Sequence, residues 1–203
     1  MHKFTSFKNW LNEQKEKEEI TYGCVMLGTN MRDWEDIHTG GIDHKDVYRK
    51  PLDDSFGLEE DPHMTVLYGI HEDQVDPEII MNVIENNMEE VTVTITNISI
   101  FETEEYDVVK YDIPVTEQIL KYREMFADNF ENTQTFPEYH PHMTIAYVKP
   151  GEGEKYVSDL DEPFEVTFSK AIYSFHKVND EGEVELLTKK YVFKRPEEEE
   201  YEL

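Results

Sequence analysis

Two short stretches carry the side chains best suited to chemistry, Pro62-His63-Met64-Thr65-Val66-Leu67-Tyr68 and Pro141-His142-Met143-Thr144-Ile145-Ala146-Tyr147. Each is a proline, then His-x-Thr, two apolar residues and a tyrosine, and the two histidines stand 79 residues apart. On a β-strand, residues i and i+2 share a face. His63 and Thr65 are therefore expected to point one way, as are His142 and Thr144, with Met64, Val66, Met143 and Ile145 turned into a core. Two imidazoles facing one cleft divide acid and base work near neutral pH. Two threonine hydroxyls beside them donate to the non-bridging oxygens of a phosphodiester, where charge grows in the transition state. On a cyclic phosphate, one imidazole takes a proton from water and the other protonates the departing ribose oxygen. This chemistry needs no metal or other cofactor, and the sequence offers no convincing metal site. A His140/His142 pair is disfavoured by Pro141 between them and by the lack of a carboxylate partner.

Other residues are candidates to bind a substrate. Tyr22 lies on the strand expected to pair with the first motif. Trp34 sits in a long segment, 29–61, that also holds Arg32, Tyr48, Arg49 and Lys50. A segment of this length with basic and aromatic groups suits a lid over a nucleotide, hinged at Gly40-Gly41. Phe136 and Tyr139 precede the second motif in a loop and are placed to stack on a base. Each has a plainer reading as well: Trp34 as an anchor of its loop, Tyr22 as a packing residue. Tyr68 and Tyr147, five residues beyond the histidines, are expected on the opposite strand face, as core. His38, His44, His71 and His176 are expected at the surface.

The elements that must position these groups follow from periodicity and caps. Residues 3–19 place Phe4, Phe7, Trp10 and Leu11 on one face of a short amphipathic helix, and its phrase Phe7-Lys8-Asn9-Trp10-Leu11-Asn12-Glu13 is similar to the starts of many tailed-phage proteins. Residues 20–27 form a first strand, and a short helix is expected near 44–49. Strand 63–70 carries the first motif, and Asp76-Pro77 opens a helix. Strands 91–101 and 106–113 follow as a hairpin, then a helix capped by Thr116, then strand 143–148 with the second motif. A weaker helical segment, 152–160, leads to strands 164–175 and 184–193, joined by the turn Asn179-Asp180-Glu181-Gly182. The order after each motif is the same. That repeat predicts an α+β fold of two pseudo-symmetric lobes of antiparallel sheet, helices outside, with both His-x-Thr faces on one central cleft. The bilobal domain is expected over 20–194, before an acidic tail, 195–203, containing Glu197-Glu198-Glu199-Glu200.

Composition narrows the partners. The chain has 203 residues and a formal net charge of −27, from 46 acidic and 19 basic side chains. Affinity for long nucleic acid rests on Lys and Arg displacing counterions, so a long polyanion is excluded as a partner. A small anion, held by a few local donors, is not. One cysteine, Cys24, gives no disulfide framework within the chain and is expected as a small core residue. No apolar run is long enough to span a membrane, the N-terminus is too polar for a signal peptide, and a cytoplasmic setting is expected.

The paired motifs resemble those of the 2H phosphoesterase superfamily, over about residues 20–194. The resemblance implies a metal-independent phosphodiesterase with His63 and His142 as the catalytic pair and Thr65 and Thr144 holding the phosphate. The run Phe56-Gly57-Leu58-Glu59-Glu60-Asp61-Pro62-His63-Met64-Thr65-Val66-Leu67-Tyr68-Gly69 resembles a phage-encoded branch that degrades cyclic di- and trinucleotides of anti-phage (CBASS) immunity. A cyclic nucleotide or cyclic oligonucleotide is therefore the expected substrate, and the host cytoplasm the setting if the protein is phage-encoded. The alternatives are a 2′,3′-cyclic phosphodiesterase acting on RNA ends or small cyclic phosphates, a non-catalytic nucleotide-binding module, and a phage-particle component addressed by the N-terminal helix.

Overall fold

The structure is a computed structural model that describes residues 21–31, 34–51, 53, 55–134, 138–179 and 183–194. The expected N-terminal helix, the acidic tail, Arg32, Phe136 and the tip of the 179–182 turn lie outside these residues. Among the described residues seven strands and two α-helices are formed: β1 (Tyr22–Thr29), β2 (His63–His71), α1 (Pro77–Asn87), β3 (Val91–Glu102), β4 (Asp107–Asp112), α2 (Glu117–Asn129), β5 (His142–Val148), β6 (Ser158–Val178) and β7 (Val184–Val192). The sheet order is β1-β2-β5-β4-β3-β6-β7, with β1 also paired to β6, and every pairing is antiparallel.

This topology is two four-stranded lobes sharing one strand. The first half of β6 pairs with β3, and the second half pairs with β1 and β7. β6 thus belongs to β5-β4-β3-β6 and to β2-β1-β6-β7. At the centre the lobes touch through one ladder pair, Met64 with Met143. The α+β bilobal architecture expected from the repeat is present, but the expected helix over 152–160 is not. Only Glu154–Tyr156 form a helical turn, and β6 begins at Ser158. A segment that must pair with both lobes is pulled into extended backbone, and Pro163, which has no N–H to give a ladder, sits where the β3 register shifts.

Both helices start as their sequences predict. The Asp76 carboxylate accepts from the Glu78 backbone N–H at 2.9 Å, and the Thr116 hydroxyl accepts from Ile119 N–H at 3.2 Å. Ile80 and Ile84 of α1, and Ile119, Tyr122 and Phe126 of α2, are buried in one core with Val25, Leu27, Met64 and Leu67. α1 packs on β6 and β7, and α2 on β2. The second lobe has the segment 34–48 in that place. Trp34, Ile42 and Val47 are buried there beside Val109, Tyr111 and Ile145. Residues 44–49 form a turn and a bridge rather than the expected helix, and a single helical turn lies earlier, at Trp34–Thr39.

The 29–61 segment is not free to act as a lid where it meets β5. Tyr48 N–H donates to Tyr147 O at 2.9 Å, Glu59 N–H to Ile145 O at 2.9 Å and Lys149 N–H to Asp46 O at 2.7 Å, while Tyr147 N–H donates to Gly57 O at 2.8 Å. These bonds satisfy the edge of β5 that β2 leaves unpaired. The other motif strand is treated alike: His71 N–H donates to Glu131 O and Thr133 N–H to Gly69 O, both at 2.9 Å. Each motif strand is therefore stitched by the chain that leads into the other motif.

Candidate active site

The Met64–Met143 pair sets the register of the two motifs. In an antiparallel pair with these residues opposite, His63 is level with Thr144 and Thr65 with His142. The histidines become diagonal neighbours, which in a regular ladder lie about 7–8 Å apart, a spacing able to flank one phosphate. Beyond this contact the strands part, and all four motif side chains are partly open while Met64, Val66, Met143 and Ile145 are buried. The two faces read from the i, i+2 rule are those observed.

The imidazoles are held identically. His63 Nδ1 lies 2.8 Å from Asp61 O, and His142 Nδ1 lies 2.8 Å from His140 O. A carbonyl only accepts, so each Nδ1 carries its proton and the neutral ring presents Nε2 as a base. Among the described residues neither Nε2 has a hydrogen-bond partner. Each is free to take a proton from a ligand or return one.

The surroundings of the two rings differ. Across β4, Asp112 pairs with His142 and Lys110 with Thr144. The nearly buried Lys110 ammonium donates to Asp112 Oδ1 at 2.5 Å and to Ser99 Oγ at 2.6 Å. It also lies 4.1 Å from the centre of the Phe101 ring, which packs edge-on against His142 at 5.0 Å. Burial lowers the His142 pKa; the His140 carbonyl opposes this, while Lys110 and His63 push further down against Asp112. Asp112 is itself held below the usual carboxylate range: its burial is outweighed by bonds from Lys110, Ser99 and Asn97. The equivalent β1 positions are apolar, Met26 beside Thr65 and Gly28 beside His63.

The structure revises the substrate-binding candidates. Trp34 is 4% exposed, stacks on His38 at 4.8 Å and donates its indole N–H to Glu59 O at 2.6 Å, so it anchors its loop and has no open ring face for a base. Tyr22 pairs with His71, whereas Gly28 pairs with His63, which puts Tyr22 at the far end of β2 from His63. Tyr139 is half-buried, donates to Thr65 O at 2.9 Å and lies under the Arg123 guanidinium at 4.3 Å. It supports the first motif from behind. Phe136 lies outside the described residues. The surface expectation fails for His38, whose Nδ1 is 2.8 Å from the Tyr111 hydroxyl.

Tyr68 is corrected in the other direction. The β1–β2 register slips between Val25 and Met26, so that Met26 pairs with Thr65 but Cys24 with Tyr68. This bulge inserts one residue and returns Tyr68 to the face of His63 and Thr65, where it is 47% exposed. The β4–β5 register slips in the same way between Val109 and Lys110, and Val108 pairs with Tyr147. Tyr147 accordingly shares the face of His142 and Thr144, within a cluster of Phe56 and Tyr106 at 5.2 and 5.4 Å. The two-residue period hid both tyrosines, because a bulge leaves no mark in so short a run. Among the described residues no group of three or more His, Cys, Asp or Glu side chains is placed to hold a metal ion. No helix there is long and apolar enough to cross a membrane.

Comparison with known proteins agrees with this geometry. The family model of the 2′-5′ RNA ligase superfamily matches residues 41–173. Solved structures of Escherichia coli LigT have the same fold. The complex with 3′-AMP superposes with a TM-score of 0.50 at 10% identity, over 87% of this chain and 100% of that one. The complex with NADP+ gives 0.51 at 10% identity, over 86% and 99%. No curated protein matches the chain.

Proposed function

Since the chain belongs to the 2′-5′ RNA ligase superfamily, we propose that it is a metal-independent phosphodiesterase that opens cyclic nucleotides or cyclic oligonucleotides by two-histidine acid/base catalysis. The observation that carries this reading is the matched pair of Nδ1–carbonyl bonds on two strands that meet at Met64–Met143, the residue between the histidine and the threonine of each motif. That arrangement presents two Nε2 atoms, one able to take a proton and the other to give one, and two hydroxyl donors to a single anion. LigT, bound to 3′-AMP and NADP+ in its crystal structures, supports a small nucleotide as the ligand.

The roles divide by surroundings. His142, whose charged form is disfavoured by burial and by Lys110, is the base that takes a proton from water. His63, on the facing strand, is then the acid that protonates the leaving ribose oxygen. Thr65 and Thr144 donate to the non-bridging oxygens, where added charge strengthens each bond. The bond from phosphorus to the ribose oxygen breaks, the water oxygen bonds to phosphorus, and the two rings end with their protonation states exchanged.

Product analysis on a panel of 2′,3′-cyclic mononucleotides, 3′,5′-cyclic nucleotides and cyclic di- and trinucleotides tests the proposal. A single opened or linearised product, formed at an unchanged rate in excess EDTA, is expected. No turnover of any panel member, or turnover abolished by EDTA and restored by zinc or manganese, overturns it.

A further inference from the structure

A second cationic group stands on the motif face of the first lobe. Gly28 pairs with His63 on one side and with Lys170 on the other, so the three lie in line across β2, β1 and β6. A side chain at position 28 would collide with Lys170: an added Cβ would lie 2.4 Å from its Cε and 3.0 Å from its Cγ. The lysine thus crosses β1 over the glycine, toward the motif. Its ammonium reaches Asp61 Oδ1 at 3.0 Å and Asn30 Oδ1 at 3.3 Å. Lys190 on β7 pairs with Ile172, places its side chain on the same face, and donates to the other carboxylate oxygen of Asp61 at 3.2 Å. Lys189, next in sequence, turns to the opposite face and meets Glu78 of α1.

Two ammonium groups therefore share one carboxylate, which leaves a net positive charge. The sharing residue, Asp61, is the one whose carbonyl holds His63 Nδ1. Burial of Asp61 is outweighed by the two lysines, which keep its carboxyl ionised below the usual range. In a chain of net charge −27, convergence of two cations beside a catalytic residue has a use that surface solubility does not explain. It is also one-sided: at the second motif the corresponding carbonyl belongs to His140, whose side chain is exposed beside Glu138.

We propose that Lys170 and Lys190 form a second phosphate subsite beside His63, which takes a phosphodiester of the substrate other than the one being cleaved. The inference rests on the phosphodiesterase reading and narrows it, to substrates with at least two phosphates. The Asp61 carboxylate keeps the lysines gathered in the free protein and yields part of their hydrogen bonding to the incoming phosphate. Charge-assisted bonds of this kind are among the stronger ones.

The test is binding, which does not depend on turnover. Dissociation constants are measured by calorimetry for a cyclic dinucleotide, a linear dinucleotide ending in a 2′,3′-cyclic phosphate, and a 2′,3′-cyclic mononucleotide. The proteins are the full chain, Lys190→Ala, Lys170→Met, which keeps the alkyl chain over Gly28, and Lys189→Ala as the control on the other face. Circular dichroism checks folding, and Lys190, half-exposed, is the variant that secures a folded protein. The full chain is expected to favour the two-phosphate ligands, and each of the first two variants to lose about ten-fold of that preference, with Lys189→Ala unchanged. Loss on the cyclic ligand alone assigns the subsite to a ring phosphate, and loss on the linear one alone to a chain phosphate. An unchanged preference in both variants overturns the subsite, as does a loss confined to kcat, which would make the lysines mere positioners of Asp61. If no ligand is hydrolysed yet the preference falls, the subsite stands and the phosphodiesterase reading falls.

Discussion

At the scale of single residues, the site is symmetric in its frame and asymmetric in its charges. Both rings are fixed by a carbonyl two residues upstream, yet only His142 has a lysine and an aspartate across the neighbouring strand. His63→Ala and His142→Ala should each lower kcat by about 10²–10⁴-fold. The double variant should be far less impaired than the product of the two losses, since the residues act in one step. A folded single variant with near wild-type kcat would remove that residue from the mechanism. Lys110 tests the role assignment through pH. The His142 pKa is lowered by burial and by Lys110, so the neutral base persists to more acidic pH and the acid limb of kcat/KM lies below the ordinary histidine value. Lys110→Met takes away a charge that opposes protonation and leaves Asp112, which favours it. The acid limb should therefore move to higher pH. A limb that stays in place, with only a uniform loss of rate, would make Lys110 a packing residue. Cys24, by contrast, is buried, with its thiol pushed up to about 12 by desolvation.

At the scale of elements, the two motif strands owe their positions to the connections as much as to the sheet. Trp34 holds the 34–62 segment against the second lobe through its buried ring and its bond to Glu59 O. Trp34→Ala should destabilise the fold by about 3–5 kcal/mol, as for other buried aromatic truncations. KM at a temperature where the variant is folded should be little altered. A lowered affinity with an unchanged melting temperature would restore the lid. Gly69 does the same work in the other connection. Its φ of +100° is open to glycine, and an added Cβ would stand 2.1 Å from Thr133 O. Gly69→Ala should cost at least about 1–3 kcal/mol from backbone strain alone, read as a fall in denaturation midpoint. An unperturbed midpoint would show that residues 131–133 are not pinned to β2.

At the scale of the whole molecule, a net charge of −27 opposes the approach of an anionic substrate, while Lys110, Lys170 and Lys190 act only at short range. The screening length falls from about 30 Å at 0.01 M salt to about 8 Å at 0.15 M. Salt should therefore weaken the distant repulsion more than the local contacts. kcat/KM for a cyclic nucleotide should rise over this range, opposite to the steep loss expected of a basic nucleic-acid binder. A fall in kcat/KM would mean that the field in the cleft is positive at long range.

The sequence by itself determined which residues could do chemistry and most of the elements that bear them. His-x-Thr at a spacing of two puts both groups on one strand face wherever the strand goes, and the repeated order of motif, helix and hairpin is enough to expect two like lobes. Asp76 and Thr116 mark their helices because capping is local. What only the tertiary structure decided is whatever depends on partners distant in the chain. The single Met64–Met143 pair sets the motifs in register, and β6 takes the last residues of the expected 152–160 helix, leaving one turn at Glu154–Tyr156, because both lobes need its edges. Trp34 left the list of ligands because a buried N–H found Glu59 O across 25 residues. Tyr68 and Tyr147 crossed to the cleft face because one inserted residue reverses a period of two, and the neighbouring strand, not the local run, determines where that residue goes.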